Sequence, residues 1–203
     1  AAVERLGRRL GGAVCQGTTE LDTPRAEVTI ACLRHELLLP VEPLPPAQES
    51  EAVVADLEPR VEALQQGKGD PKGELGLWQA EHLLRQARER LEAARSGEPI
   101  TGKPIVLPVL VLGDIVLIGY PCEVFFDIGR QVQAQSPFPH TLTVTHVDGW
   151  NGYVPTADAY PDGGYEVDTA RAHYRGLGIT PEAEQVLVAE SLRALQRAYV
   201  VIA

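Results

Sequence analysis

Residues 105–133 read IVLPVLVLGDIVLIGYPCEVFFDIGRQVQ, and this stretch decides the fold. Residues 105–112 and 115–118 are runs of valine, isoleucine and leucine, which fit the pleated surface of a strand. Gly113 and Asp114 between them predict a tight hairpin turn. Pro121 ends the second strand. Residues 122–133 then bring Val124, Ile128 and Val132 to one side at helical spacing, which predicts a helix and puts Glu123 at its start. Residues 141–147 alternate as a further strand. Strands interleaved with helices predict an α/β fold of mixed α+β character, a mixed β-sheet flanked by helices.

Outward from this centre the pattern continues. Residues 25–41 alternate, with Val28, Ile30 and Cys32 on one face and Thr29, Ala31 and Leu33 on the other, so a long strand ending at Pro40 is expected. Before it, Val3, Leu6, Leu10 and Val14 recur at helical spacing over residues 2–14. The run VEPLPP (41–46) reads as a stiff extended linker. Residues 49–66 and 75–95 carry apolar stripes, the first through Val53, Leu57, Val61 and Leu64, the second through Leu77, Ala80, Leu84, Ala87, Leu91 and Ala94. With the GKGDPKG turn (67–73) between them, they predict a helical hairpin inserted over residues 47–96. Residues 148–179 are rich in Gly, Tyr, Asp and Pro and read as a long ordered loop, a feature that is functional more often than not. Thr180-Pro181-Glu182 opens a closing helix, with threonine as N-cap and proline at the first position. No internal repeat is present, and residues 1–203 are expected to form one domain.

Composition excludes several function classes. A net charge of -10 argues against nucleic acid and against a polybasic membrane patch, both of which need clustered Lys and Arg. The longest apolar stretch, 104–118, is broken by Pro108 and by Gly113-Asp114, so no transmembrane segment is expected. The N-terminus lacks a charged region followed by an apolar run, so no signal peptide is expected in this chain, and a soluble protein is. The chain opens in mid-helix without a methionine, which suggests a piece of a longer protein. The three cysteines, Cys15, Cys32 and Cys122, form neither a disulfide framework nor a C-x-x-C zinc pair. Cys122 is either a small buried filler or a thiol with a lowered pKa at a helix start.

Two side chains stand out chemically. Glu123 is held by a strand, a Gly-Tyr-Pro turn and an expected helix N-terminus. It is either a carboxylate ligand or a first-turn glutamate facing the helix dipole. Tyr153 lies thirty residues later in a turn-rich segment. His146 and Asp148 form H-x-D, and strand alternation would place both on one face. They are a metal pair, partners that orient a ligand, or a strand-end histidine and a turn aspartate. His35, His82, His140 and His173 show no ligand spacing, and His82 and His140 read as surface residues. Tyr160, Gly163, Gly164, Tyr165 and Glu166 form Y-x-x-G-G-Y-E, either a loop lining an entrance or glycine turns pinned by aromatic packing. No nucleophile elbow or Walker loop is present.

Gly119, Pro121 and Glu123 form G-x-P-x-E, and Gly152, Tyr153, Val154, Thr156 and Tyr160 form G-Y-V-x-T-x-x-x-Y. Both elements resemble the neutral/alkaline (non-lysosomal) ceramidases, zinc amidases that cut the amide of N-acyl sphingoid bases. The resemblance implies zinc as cofactor, with Glu123 and Tyr153 among its ligands and Tyr153 available to stabilise an oxyanion. It implies two further histidine ligands from an N-terminal half of the domain that this chain lacks. The chain would then be the C-terminal part of a ceramidase-like hydrolase domain acting on an amide or lipid-like substrate. It further implies that Tyr160 and Tyr165 belong to a run that closes over the site. Cys122 stands where the family usually has a small residue, and Asp148 and Trp150 stand where it commonly has Asn and Tyr. Two alternatives remain open: a non-catalytic interaction module, and a hydrolase of the same fold acting on another amide or ester.

Overall fold

A computed structural model describes residues 2–21, 27–97, 100–170 and 177–202. Its centre is a four-stranded mixed sheet in the order β1-β2-β3-β5, built from β1 (Ile30–Leu39), β2 (Lys103–Leu112), β3 (Ile115–Tyr120) and β5 (His140–Thr145). The expected hairpin is present. β2 and β3 pair antiparallel in the register Leu112↔Ile115, and Gly113 takes the positive φ of 60° that the two-residue turn demands. β1 pairs antiparallel with β2 along its full length. β3 and β5 are parallel and need a crossover, which contains α4 (Phe126–Gln135).

Proline rarely sits in a central strand because it cannot donate to the ladder. Pro108 lies in β2, yet the β2–β3 ladder reaches only Val109↔Ile118 and stops there. Gly119 follows on β3, and a Cβ on it would lie 2.8 Å from the Pro108 ring and 2.9 Å from Val147. Past this point β3 parts from β2 but stays paired with β5 through Tyr120↔Thr145, and the chain then turns toward Glu123.

The closing helix α5 (Ala183–Ile202) lies across β1 and β2 and against α4. Its Ala183, Leu187, Ala194, Leu195 and Ala198 meet Leu39, Leu107, Val109, Val111, Val116 and Ile118 in the main core. Tyr120 is fully buried in this core and shares a 3.0 Å hydrogen bond with Ser191 on α5. Residues 47–96 hold two helices, α2 (Ala47–Gln65) and α3 (Leu77–Ser96), with a small core of their own made by Leu57, Val61, Ala80, Leu84 and Ala87. The turn between these helices is more than a solvated connection. Arg60 grips Asp70 with two bonds, Nε to Oδ1 at 2.9 Å and Nη2 to Oδ2 at 2.7 Å. Asp70 also accepts the backbone N–H groups of Lys72, Glu74 and Leu75.

Three expectations are corrected. The helix after Pro121 begins at Phe126, not Cys122, because Glu123–Val124 forms a short strand, β4, paired in parallel with β6 (Tyr153–Val154). The strand ending in the H-x-D pair stops at Thr145. His82 is buried rather than on the surface. Its ring stacks on Trp78 at 5.3 Å and lies 2.8 Å from the Gln86 amide. The long loop contains a 3-10 turn (Ala157–Ala159) and a π-helical turn (Tyr165–Thr169). His173 lies outside the described residues. The first helix, α1 (Ala2–Thr19), extends beyond residue 14, and all its residues are exposed.

Candidate functional site

Glu123 and Tyr153 are direct register partners across the β4–β6 pair. The backbone fixes them tightly. Glu123 N–H donates to Gly152 O at 2.9 Å and Phe125 N–H to Val154 O at 3.1 Å. Gly152 carries φ 99°, a conformation that favours glycine and lets its carbonyl face β4. A second clamp holds the incoming loop. Asn151 donates its backbone N–H and its side-chain amide to Pro121 O, at 2.8 and 2.9 Å. Lys103 Nζ donates to Asn151 O at 2.9 Å, and burial pulls its pKa below the usual ammonium value. The two motifs, thirty residues apart in sequence, are thereby laid side by side.

The side chains converge on the Glu123 carboxylate. The Tyr153 hydroxyl donates to it, and that bond, more than burial, pushes the phenol pKa up to about 12. Trp150 Nε1–H donates to Glu123 Oε1 at 3.3 Å. His146 Nε2 stands 3.6 Å from Glu123 Oε2. The Tyr165 ring meets Tyr153 edge-on at 6.1 Å. His146 and Asp148 share no strand face, since both take left-handed backbone, φ 59° and 58°. Such conformations are costly for non-glycine residues and persist where the surroundings hold them, as at active sites. They send the two side chains apart: His146 toward Glu123, Asp148 to a 3.3 Å pair with Arg34. Tyr160 donates its hydroxyl to Ile179 O at 2.8 Å and so ties the loop to the strand side.

Glu123, Tyr153, His146 and Tyr165 thus come together, while Asp148 and Tyr160 are engaged elsewhere. Trp150 was noted in the sequence only as a departure from a motif, and nothing in its local pattern announced a contact with Glu123. Lys103 and Asn151 carried no signal at all. Cys122 sits beneath the site as a fully buried thiol, its pKa pushed up to about 12 by that burial, so it is the filler and not a reactive cysteine.

Among the described residues no group of three or more His, Cys, Asp and Glu side chains is arranged to hold a metal ion. What the site offers a metal is one carboxylate and one phenol, both oxygen donors and already in contact. As chemistry they fit part of a zinc ligand set, which is usually completed by imidazole.

No known protein family and no curated protein matches the chain in sequence. Among solved structures, ceramidases show a partial, low-scoring likeness to it. One, described as ceramidase complexed with C2, is 21% identical with a TM-score of 0.37, over 50% of this chain and 16% of that one. Neutral ceramidase from Pseudomonas aeruginosa is 17% identical with a TM-score of 0.41, over 82% of this chain and 29% of that one. The chain therefore spans less than a third of the length of either protein.

Proposed function

We propose that this chain contributes Glu123 and Tyr153 as two oxygen ligands of a zinc amidohydrolase centre resembling that of the neutral ceramidases. Two histidines from a preceding half of the domain would complete the set. The observation that carries the proposal is the hydrogen-bonded pair of Glu123 and Tyr153 on neighbouring strands. Each comes from one of the two motifs, and the two Gly-containing turns leave little freedom in where they point.

When bound, zinc lowers the pKa of a coordinated water to about 7 and polarises a carbonyl. The remaining roles fall to the chain. The β4–β6 ladder holds the two oxygens in register. Trp150 and His146 fix the direction of the Glu123 carboxylate, as groups around a ligating carboxylate do. Tyr153 carries an O–H beside that carboxylate and can donate to the oxygen of an attacked amide as it becomes charged. Exposed Trp150 and Tyr165 flank the pair with apolar surface, which suits an amide attached to an alkyl chain.

The test is zinc content by elemental analysis on the chain assembled with the preceding half of its domain, with Glu123→Ala and Tyr153→Phe alongside. Stoichiometric zinc is expected in the wild type, with affinity falling at least about 100-fold in Glu123→Ala, more than losses around a ligand typically cost. Hydrolysis of an N-acyl amide should disappear with the metal. Absence of zinc from the assembled wild type would overturn the proposal. The interaction-module alternative, in which Glu123 and Tyr153 are structural and the loop of residues 148–179 binds a partner, calls for the two to lie far apart, whereas they are register partners.

A further inference from the structure

The loop that carries Trp150 and Tyr153 is tied to the sheet by a cation. Lys103 opens β2 as the register partner of Leu39. Gly102 before it lets the two strands approach, since a Cβ there would lie 2.8 Å from Leu39 O. The Lys103 side chain borders a cavity of about 270 Å³ with Val41, Leu44, Pro104 and Leu177 in its walls. Packing therefore does not dictate where the ammonium goes. Hydrogen bonding does, and Nζ donates to Asn151 O at 2.9 Å. The buried Cys122 thiol lies within electrostatic reach of the same charge. Lys103 thus stands beneath both motifs, under the residue before Glu123 and under the peptide that leads to Gly152 and Tyr153.

From Asn151 the restraint spreads to the site. Asn151 makes its two bonds to Pro121 O two residues ahead of Tyr153, and Pro121 is two residues ahead of Glu123. The doubled bond joins the two segments immediately before they pair. The fit is close, for a Cβ on Gly149 would lie 3.0 Å from Pro121 Cβ and 3.3 Å from Asn151 Nδ2. Strands β4 and β6 have only two residues each. A two-stranded pair is marginal in water even when it is longer, so this one depends on what holds its ends.

The choice of lysine is unfavourable for the fold alone. The side chain is half-buried, and that burial pulls its pKa below the usual ammonium value, so folding disfavours the charge. Groups perturbed in this way gather at functional sites. An apolar side chain of similar length would fill the same space without the penalty, but it could not hold Asn151 O.

We infer that Lys103 is a positioning residue of the proposed centre: acting through Asn151, its ammonium holds the β4–β6 pair in the register that brings the Glu123 carboxylate and the Tyr153 hydroxyl together. The purpose of the clamp rests on the reading of those two side chains as ligands. The clamp itself involves no metal.

Site-resolved hydrogen exchange on the 203-residue chain tests it. In Lys103→Met the amides of Glu123 and Phe125, which bond to Gly152 O and Val154 O, are expected to lose protection at least about 10-fold, while the amides of β2 and β3 keep theirs. Stability in urea should be unchanged or higher, because a buried charge has been removed. Asn151→Ala takes away the side-chain bond to Pro121 O and should loosen the same two amides. On the chain assembled with the preceding half of its domain, Lys103→Met should lower zinc affinity about 10- to 100-fold, the usual loss when a group that orients a ligand is removed. Unchanged protection of Glu123 and Phe125 in either variant, or unchanged zinc affinity in Lys103→Met, would overturn the inference. So would a Lys103→Met chain that does not fold or that loses protection equally in β2 and β3, because Lys103 would then hold the fold and not the site. The exchange measurement needs no metal, so its failure is distinct from that of the zinc reading, which falls if the assembled wild type holds none.

Discussion

The Tyr153 phenol is kept neutral by the carboxylate it donates to. Ionising it would set a phenolate against Glu123, so its pKa is raised from 10.0 to about 12. A raised folded value means the bond's contribution to stability is present below the ordinary pKa and lost as pH rises through about 12. Glu123→Gln removes the anion, and the titration of Tyr153, followed by phenolate absorbance against a Tyr153→Phe control, should move down toward 10. If it stays near 12, burial rather than Glu123 controls the phenol. Gly119 is constrained by space instead of charge. Alanine there would press on Pro108 and Val147, and the fold should lose about 1–3 kcal/mol, read from urea denaturation. Both residues were legible in the sequence as motif members. The contacts of Trp150, Lys103 and Asn151 were not, because they depend on how one loop lies over another, and no local periodicity encodes that.

At the scale of elements, strong patterns translated directly. The β2–β3 hairpin, the α2–α3 insertion and α5 follow their apolar spacing because each buries the stripe that announces it. Failures occurred where tertiary pairing overrode local preference. Residues 122–125 had helical spacing, but the N–H groups of Glu123 and Phe125 bond to β6, so the helix starts at Phe126. His82 looked like a surface histidine because its neighbours are charged, yet it stacks on Trp78 within the hairpin. The α2–α3 turn hides a comparable surprise in Asp70. The Arg60 guanidinium, followed by three backbone N–H groups, holds this carboxyl well below the usual carboxylate range. A depressed pKa means the stabilisation is complete above the ordinary value of 3.8 and declines as pH falls below it. Asp70→Asn, which keeps the shape and loses the charge, should lower the melting temperature at neutral pH. The difference from wild type should shrink as pH drops below that ordinary value. An unchanged melting temperature at neutral pH would mean that the backbone bonds alone hold the turn.

At the scale of the whole molecule, the apolar side chains form two separate buried cores. The main core beneath α5 should exchange its amide hydrogens most slowly, since α5 and the inner sheet face bury the largest side chains. The hairpin rests on five buried residues and should open at lower free energy than the sheet. α1 has no buried residue and four glycines, so its amides should exchange almost as fast as those of an unfolded chain. Native-state hydrogen exchange in low denaturant should therefore resolve two openings, the hairpin before the sheet, because the five-residue core of the hairpin is separate from the main one. A single opening that exposes both together would mean that the two cores unfold as one unit.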